Sequence, residues 1–135
     1  MKISSFDTGI TTGIVLVDID ENKFESTVLE TLEAKENDLS YLSDRIVYVS
    51  DLILIEQTPY FVDPILKMIQ GMVTHHCKMY ERSVKFIYPG LWKPFAKARR
   101  WNKTVSSQHI QDAYNMLRYE VFFRFFTELK DLEIR

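Results

Sequence analysis

Residues that staple a chain or break its regular structure are scarce in this sequence. Of 135 residues, one is cysteine, four are glycine and four are proline. The lone Cys77 excludes an intrachain disulfide, and a reducing, cytosol-like compartment is the default for such a chain. No apolar run approaches the roughly 20 residues that cross a bilayer, so no membrane partner is expected. The N-terminus has no basic stretch leading into an apolar segment and a small-residue cleavage site, which argues against secretion. The expected location is therefore the cytoplasm, either beside the nucleoid or in a host cell if the chain is viral, with an organelle as the other option. No repeat, low-complexity tract or linker interrupts residues 1–135, which read as one domain. A hydrophobic content of 46% suffices for its core.

Acidic residues are missing from one stretch. Between Arg82 and Gln111 the chain holds Arg82, Lys85, Lys93, Lys97, Arg99, Arg100 and Lys103, with no Asp or Glu. The rest carries 10 basic against 19 acidic residues, so a net charge of −2 hides a cationic segment able to meet phosphates. Tyr88, Trp92, Phe95 and Trp101 are interleaved with these cations. Aromatic faces beside cations suit exposed bases, and they serve equally as core anchors.

The opening "KISSFDTGITTGIVLVDID" predicts two strands, Lys2 to Phe6 and Gly13 to Asp20, rich in Ile, Val and Leu. Gly9 and Gly13 suit a tight hairpin, where positive φ or close backbone approach is needed. Asp7 then ends the first strand at a sheet edge, where a turn aspartate accepting backbone N–H bonds is the simpler role. A third strand is expected over Lys23 to Glu33. Asn37 or Asp38 caps a helix whose apolar positions are Leu39, Leu42, Ile46 and Val49. Four consecutive aliphatics in "DLILIE", ending at Glu56, predict a strand buried on both faces, as in a parallel sheet.

Asp63 and Pro64 then open a helix running to about Tyr80. It carries two apolar stripes, one of Leu66, Ile69, Val73, Cys77 and Tyr80, the other of Ile65, Met68, Met72 and Met79. One face suffices for a surface helix, so the second predicts a partner subunit, with overpacking inside one monomer as the alternative. Val84 to Tyr88 is a fifth strand ended by Pro89-Gly90, and the basic segment follows as a loop or short helix. Ser106 or Ser107 caps a last helix with Ile110, Ala113, Tyr114, Leu117, Val121, Phe125 and Leu129 on its buried face. Phe122, Phe123, Phe125 and Phe126, interrupted by charges, belong to core or dimer packing. His75-His76-Cys77 is a poor zinc site, because consecutive helical residues point in different directions.

The order β-β-β-α-β-α-β-α is that of the ribonuclease H-like α/β fold, a five-stranded mixed sheet with helices on both faces. Sites in open α/β sheets form beyond the carboxyl ends of strands where connectivity changes. Asp7 and Glu56 would lie at two such ends, and His109 and Asp112 share a face in the first turn of the last helix. Like charges converging there are costly unless divalent cations compensate them. Mg²⁺ prefers oxygen ligands, and two ions about 4 Å apart suit phosphodiester hydrolysis.

Together, "FDTGITTG", "LILIEQ" and "HIQDA" resemble the RuvC family of Holliday-junction resolvases over nearly the whole chain. The resemblance implies that Asp7, Glu56, His109 and Asp112 are catalytic and bind two Mg²⁺ ions, with Mn²⁺ able to substitute and Asp7 bridging both. It implies a homodimer through the helix Pro64 to Tyr80, four-way or branched DNA as partner, and no small-molecule cofactor. It also sets Tyr60 or Phe61 against unpaired junction bases; packing over the helix entrance is the alternative. Lys93, Lys97, Arg99, Arg100 and Lys103 would hold phosphates.

Two features depart from the pattern. A helix usual in bacterial members is missing before "HIQDA", and "GLWKPFAKARRWNK" replaces a glycine-rich basic stretch, as suits a compact phage, viral or organelle-type resolvase. The rival readings are a non-catalytic DNA-structure binder of the same fold and a nuclease acting on RNA or flaps. An actin-type or sugar-kinase-type ATP-binding fold needs a much longer chain.

Overall fold

In the computed structural model, which describes residues 1–57, 63–101 and 107–132, the first seven elements follow the expected order. They are β1 (Lys2–Asp7), β2 (Thr11–Asp20), β3 (Glu25–Lys35), α1 (Glu36–Val49), β4 (Leu52–Glu56), α2 (Pro64–Met79) and β5 (Ser83–Ile87). The basic segment that was open between loop and helix forms α3 (Pro89–Ala98), so one helix more than the expected order precedes α4 (Gln108–Phe125). Pro89 does end β5, but as the first residue of this helix, where its missing N–H costs nothing.

The sheet order is β3-β2-β1-β4-β5, with β1 antiparallel to β2 and parallel to β4. The change from antiparallel to parallel pairing therefore falls at β1. Strand periodicity divides the core. Ile3, Val15, Val17, Leu52 and Leu54 face a layer built from α3 and α4. Phe6, Ile14, Leu16, Ile53 and Ile55 face α1 and α2. Burial on both faces explains why β4 is aliphatic from Leu52 to Ile55.

Local differences have local causes. The N-cap of α1 is Lys35, without a side-chain cap bond, so Asn37 and Asp38 lie inside the helix. Glu36 and Asp38 in that first turn favour the positive end of the helix dipole instead. Val49 is exposed, while Ser43 and Val47 take buried positions. Ser43 tolerates burial because its hydroxyl lies 2.9 Å from His76 Nδ1. With His75 exposed and His76 and Cys77 buried, the three residues diverge as expected of a helix.

The stripe Leu66, Ile69, Val73 and Cys77 of α2 packs into the core it shares with α1 and the sheet, and Tyr80, just past the helix, packs there too, edge-on to Tyr48 of α1. The second stripe is split. Met72 packs against the same core, but Ile65, Met68 and Met79 are exposed.

α4 ends at Phe125 because Phe126 adopts a left-handed conformation, φ 52°. Leu129 thus reaches the core from beyond the helix. Several side chains hold this tail. Arg118 donates to Leu129 O (2.8 Å) and Asp131 (2.9 Å), Tyr114 Oη donates to Lys130 O (2.5 Å), and Trp101 Nε1 donates to Glu128 (3.1 Å). Trp101 lies three residues beyond α3 and its backbone N–H donates to Ala96 O (3.0 Å), so the tail also fixes the end of the basic helix. Of the C-terminal aromatics, Phe122 and Phe123 pack round Phe95, and Phe126 is 86% exposed.

Candidate active site at the ends of β1 and β4

Parallel pairing of Phe6 with Ile55 puts Asp7 and Glu56 one rung further along, at the carboxyl ends of adjacent strands. Strand β2 returns beside them, with Gly13 opposite Asp7. Here the reason for a glycine is visible. A Cβ on Gly13 would sit 2.0 Å from His109 O and 2.2 Å from His109 C, inside the first turn of α4. No glycine of the described residues has positive φ. Of the two roles predicted for the hairpin glycines, close backbone approach is the one used at Gly13.

That contact sets the start of α4. Ser107 caps the helix, its Oγ accepting from Ile110 N at 3.2 Å, and the first turn brings His109 and Asp112 to the strand ends. His109 Nδ1 stands 3.7 Å from Asp7 Oδ2. Asp112 accepts from Gln108 Nε2 at 2.7 Å. From α3, buried Trp92 donates its indole N–H to Glu56 Oε2 at 3.0 Å. From α2, Gln70 Nε2 donates to the backbone oxygen of Glu56 (2.6 Å) and approaches Thr8 Oγ1 (3.3 Å), tying the two strand ends together.

The electrostatics show why the cluster is unbalanced. The Asp7 carboxyl is pushed up to about 7, first by burial, then by the charges of Glu56 and Asp112, with Lys93 pulling the other way. Glu56 is raised by burial most of all; Lys93 and the Trp92 N–H oppose that rise and Asp112 adds to it. Three carboxylates thus sense one another in a partly dry site, with one lysine nearby.

Among the described residues, no three His, Cys, Asp or Glu side chains already stand close enough to close round an ion. The donor chemistry nevertheless suits a hard divalent cation. The oxygen donors are present, their charge is undercompensated, and an imidazole stands beside them. Glu56 and Asp112 each use one oxygen in the bonds above, and a carboxylate carries two.

A groove of about 580 Å³ runs from Asp112 between α3 and α4, with Lys93, Lys97 and Arg100 along it and Trp92 and Trp101 in its wall. Arg99 points elsewhere, stacked 4.4 Å from the Phe122 ring and 3.3 Å from Glu128. Of the interleaved aromatics, Trp92 and Trp101 are buried and Phe95 half-buried, as core anchors, whereas Tyr88 is exposed. Tyr60, Phe61 and Lys103 lie outside the described residues. Sequence reasoning did not find the contacts of Trp92 and Gln70 with Glu56, since neither residue lies in a motif with it.

No protein-family model and no curated protein sequence matches this chain. Solved structures do. The fold matches RuvC of Thermus thermophilus, determined in complex with a Holliday junction substrate, with a TM-score of 0.75 at 13% identity over 95% of this chain and 98% of that one. It also matches the fowlpox virus Holliday junction resolvase, TM-score 0.64 at 16% identity, over 86% of this chain and 94% of that one. The chain therefore has the RuvC-type ribonuclease H-like fold.

Proposed function

We propose that this protein is a Holliday-junction resolvase, a metal-dependent endonuclease that nicks four-way or branched DNA symmetrically. The observation that carries the reading is the convergence of Asp7, Glu56, His109 and Asp112 from two strand ends and one helix turn, beside a groove lined by Lys93, Lys97 and Arg100. Asp7, Glu56, His109 and Asp112 would hold Mg²⁺ or Mn²⁺, His109 as the neutral imidazole. The chemistry such a pair of ions would supply is activation of a water and stabilisation of the leaving oxygen of a phosphodiester, which would leave 5′-phosphate and 3′-hydroxyl ends.

The chain's own residues do the positioning. Lys93, next to Trp92 and near both strand-end carboxylates, would bind the phosphate being cut. Lys97 and Arg100 hold the strand further along the groove, so binding weakens with salt. The exposed Ile65, Met68 and Met79 on α2 offer a face to a second copy, and two copies related by a two-fold would present two sites to the two symmetric strands of a junction. Such a site would act where recombining DNA is found: in the cytoplasm beside the nucleoid, in a host cell's cytoplasm if the chain is viral, or in an organelle.

The test is incubation with a synthetic four-way junction and Mg²⁺ or Mn²⁺, with an RNA–DNA hybrid and a flap in parallel. Paired nicks at symmetric positions in the junction are expected, the pairing reporting the dimer. Junction binding that survives chelation, with no cleavage in either metal, would instead identify a DNA-structure binder. Preferential cutting of the hybrid or flap would reassign the substrate.

A further inference from the structure

We propose that Trp92 is a positioning residue for the metal site: its indole N–H fixes the direction of the Glu56 carboxylate, which makes the basic helix α3 part of the metal-binding apparatus as well as a grip on DNA. The inference rests on the nuclease reading above and adds a residue to it.

Glu56 is the last residue of β4. Its backbone is set by pairing with Ile87 and by the bond from Gln70, but neither contact determines where the carboxylate points. Among the described residues, the hydrogen bond that does so is Trp92 Nε1–H to Oε2, 3.0 Å. An indole N–H can only donate, and a buried donor left unpaired is costly, so the ring has reason to keep this partner. Trp92 is 2% exposed, so its ring is committed to one orientation.

The helix that carries the ring is itself anchored. Ala96 is buried in the same core, and Phe95 packs edge-on against Trp101 (5.4 Å) and Tyr119 (5.4 Å). The donor therefore approaches Glu56 from a fixed element, α3, that belongs to neither of the strands carrying Asp7 and Glu56 nor to α4. Hydrogen bonds of this kind orient ligands, and their loss typically weakens metal binding or activity about 10- to 100-fold.

The test separates the N–H from the bulk of the ring. Benzothienylalanine at position 92 keeps the bicyclic shape and replaces the N–H by sulfur; Trp92→Phe keeps an aromatic ring but shrinks it. The first readout is the Mn²⁺ midpoint for thermal stabilisation of the protein without DNA. The second is junction affinity in Ca²⁺, and the third is the cleavage rate as a function of Mn²⁺ concentration.

The benzothienyl variant is expected to melt within a few degrees of wild type and to bind junctions equally well. Its Mn²⁺ midpoint should rise about 10- to 100-fold, with cleavage recovering as the metal is raised. Should Trp92→Phe lose stability through its smaller ring, the isosteric variant still decides. An unchanged Mn²⁺ midpoint and cleavage curve in that variant, against a wild type that binds metal and cuts, overturns the inference and leaves the nuclease reading standing. A wild type that neither binds Mn²⁺ nor cuts any of the three nucleic-acid substrates overturns both.

Discussion

Asp7→Asn is expected to abolish junction cleavage and, in the absence of metal, to make the protein more stable at alkaline pH. The two effects share one cause. The folded protein holds a proton on Asp7 up to about pH 7, against 3.8 for an ordinary aspartate. The native state therefore binds that proton more tightly than the unfolded chain does. Stability from the neutral form is complete below the unfolded value and is lost as pH rises through the folded one.

At 1.36 kcal/mol per pKa unit, ionising Asp7 in the metal-free site costs on the order of 4 kcal/mol. An amide at position 7 never incurs that cost. Metal-free Asp7→Asn should therefore melt roughly 10–15 °C above wild type at pH 8 and converge with it near pH 4. Cleavage should fall at least about 10³-fold, equivalent to roughly 4 kcal/mol of transition-state stabilisation, with junction binding in Ca²⁺ retained. Differential scanning fluorimetry across pH, with a gel assay on a labelled junction, measures both. Parallel pH profiles for the two proteins, or undiminished cutting by the variant, would contradict the account of Asp7.

Gly13→Ala should be nearly as damaging, although the change adds one methyl group and touches no charge. The new Cβ would overlap the carbonyl of His109 at 2.0 Å and come within 2.8 Å of Ile110 N. These are backbone atoms in the capped first turn of a helix, so relief requires moving the start of α4 away from β2. Overpacking of this kind costs typically 1–3 kcal/mol. The shift carries His109 and Asp112 away from Asp7 together. Misplacing reacting groups by about 1 Å can cost about 10²-fold in rate, so cleavage should fall by that factor or more even at temperatures where the variant remains folded. Circular dichroism melts and single-turnover cleavage at a temperature well below the variant's melting point check the two parts. A variant that melts and cuts like wild type would show that the contact between β2 and α4 does not position the site.

How much of this was legible in the sequence depends on the range of the signal. The aliphatic run of β4 and the three- and four-residue spacing on α1, α2 and α4 are local patterns, and all became elements near the predicted positions. Convergence of Asp7 and Glu56 required the first and fourth strands to be neighbours, which the sequence posed only as a condition; the pairing of β1 with β4 meets it. Contacts that depend on three-dimensional approach were not legible. Gly13 was read as a turn or close-approach residue, but nothing in "GITTG" names α4 as the neighbour. Trp92 was read as a stacking or core aromatic; only the placement of α3 over the end of β4 shows that its N–H meets Glu56.

The basic segment was ambiguous for a related reason. With Pro89 at the helix start and Pro94 inside it, propensity argues weakly for a helix. Burial of Trp92 and Ala96 decides the matter. On α1, Val49 fits the helical spacing yet is exposed, because Ser43 and Val47 occupy the side facing α2 and the sheet. Arg99 shows the limit of reading charge alone, since its guanidinium is spent on Phe122 and Glu128, off the groove that Lys97 and Arg100 line.

Four side chains brought together from distant parts of the chain to hold divalent ions form the centre of this account. Crystals soaked in Mn²⁺ and measured at the manganese absorption edge test it directly. Anomalous density is predicted between Asp7, Glu56 and Asp112, with His109 beside it and Asp7 shared if two peaks are seen. Manganese bound elsewhere on the protein, with that position empty and Glu56 and Asp112 too far from Asp7 to share an ion, would contradict it.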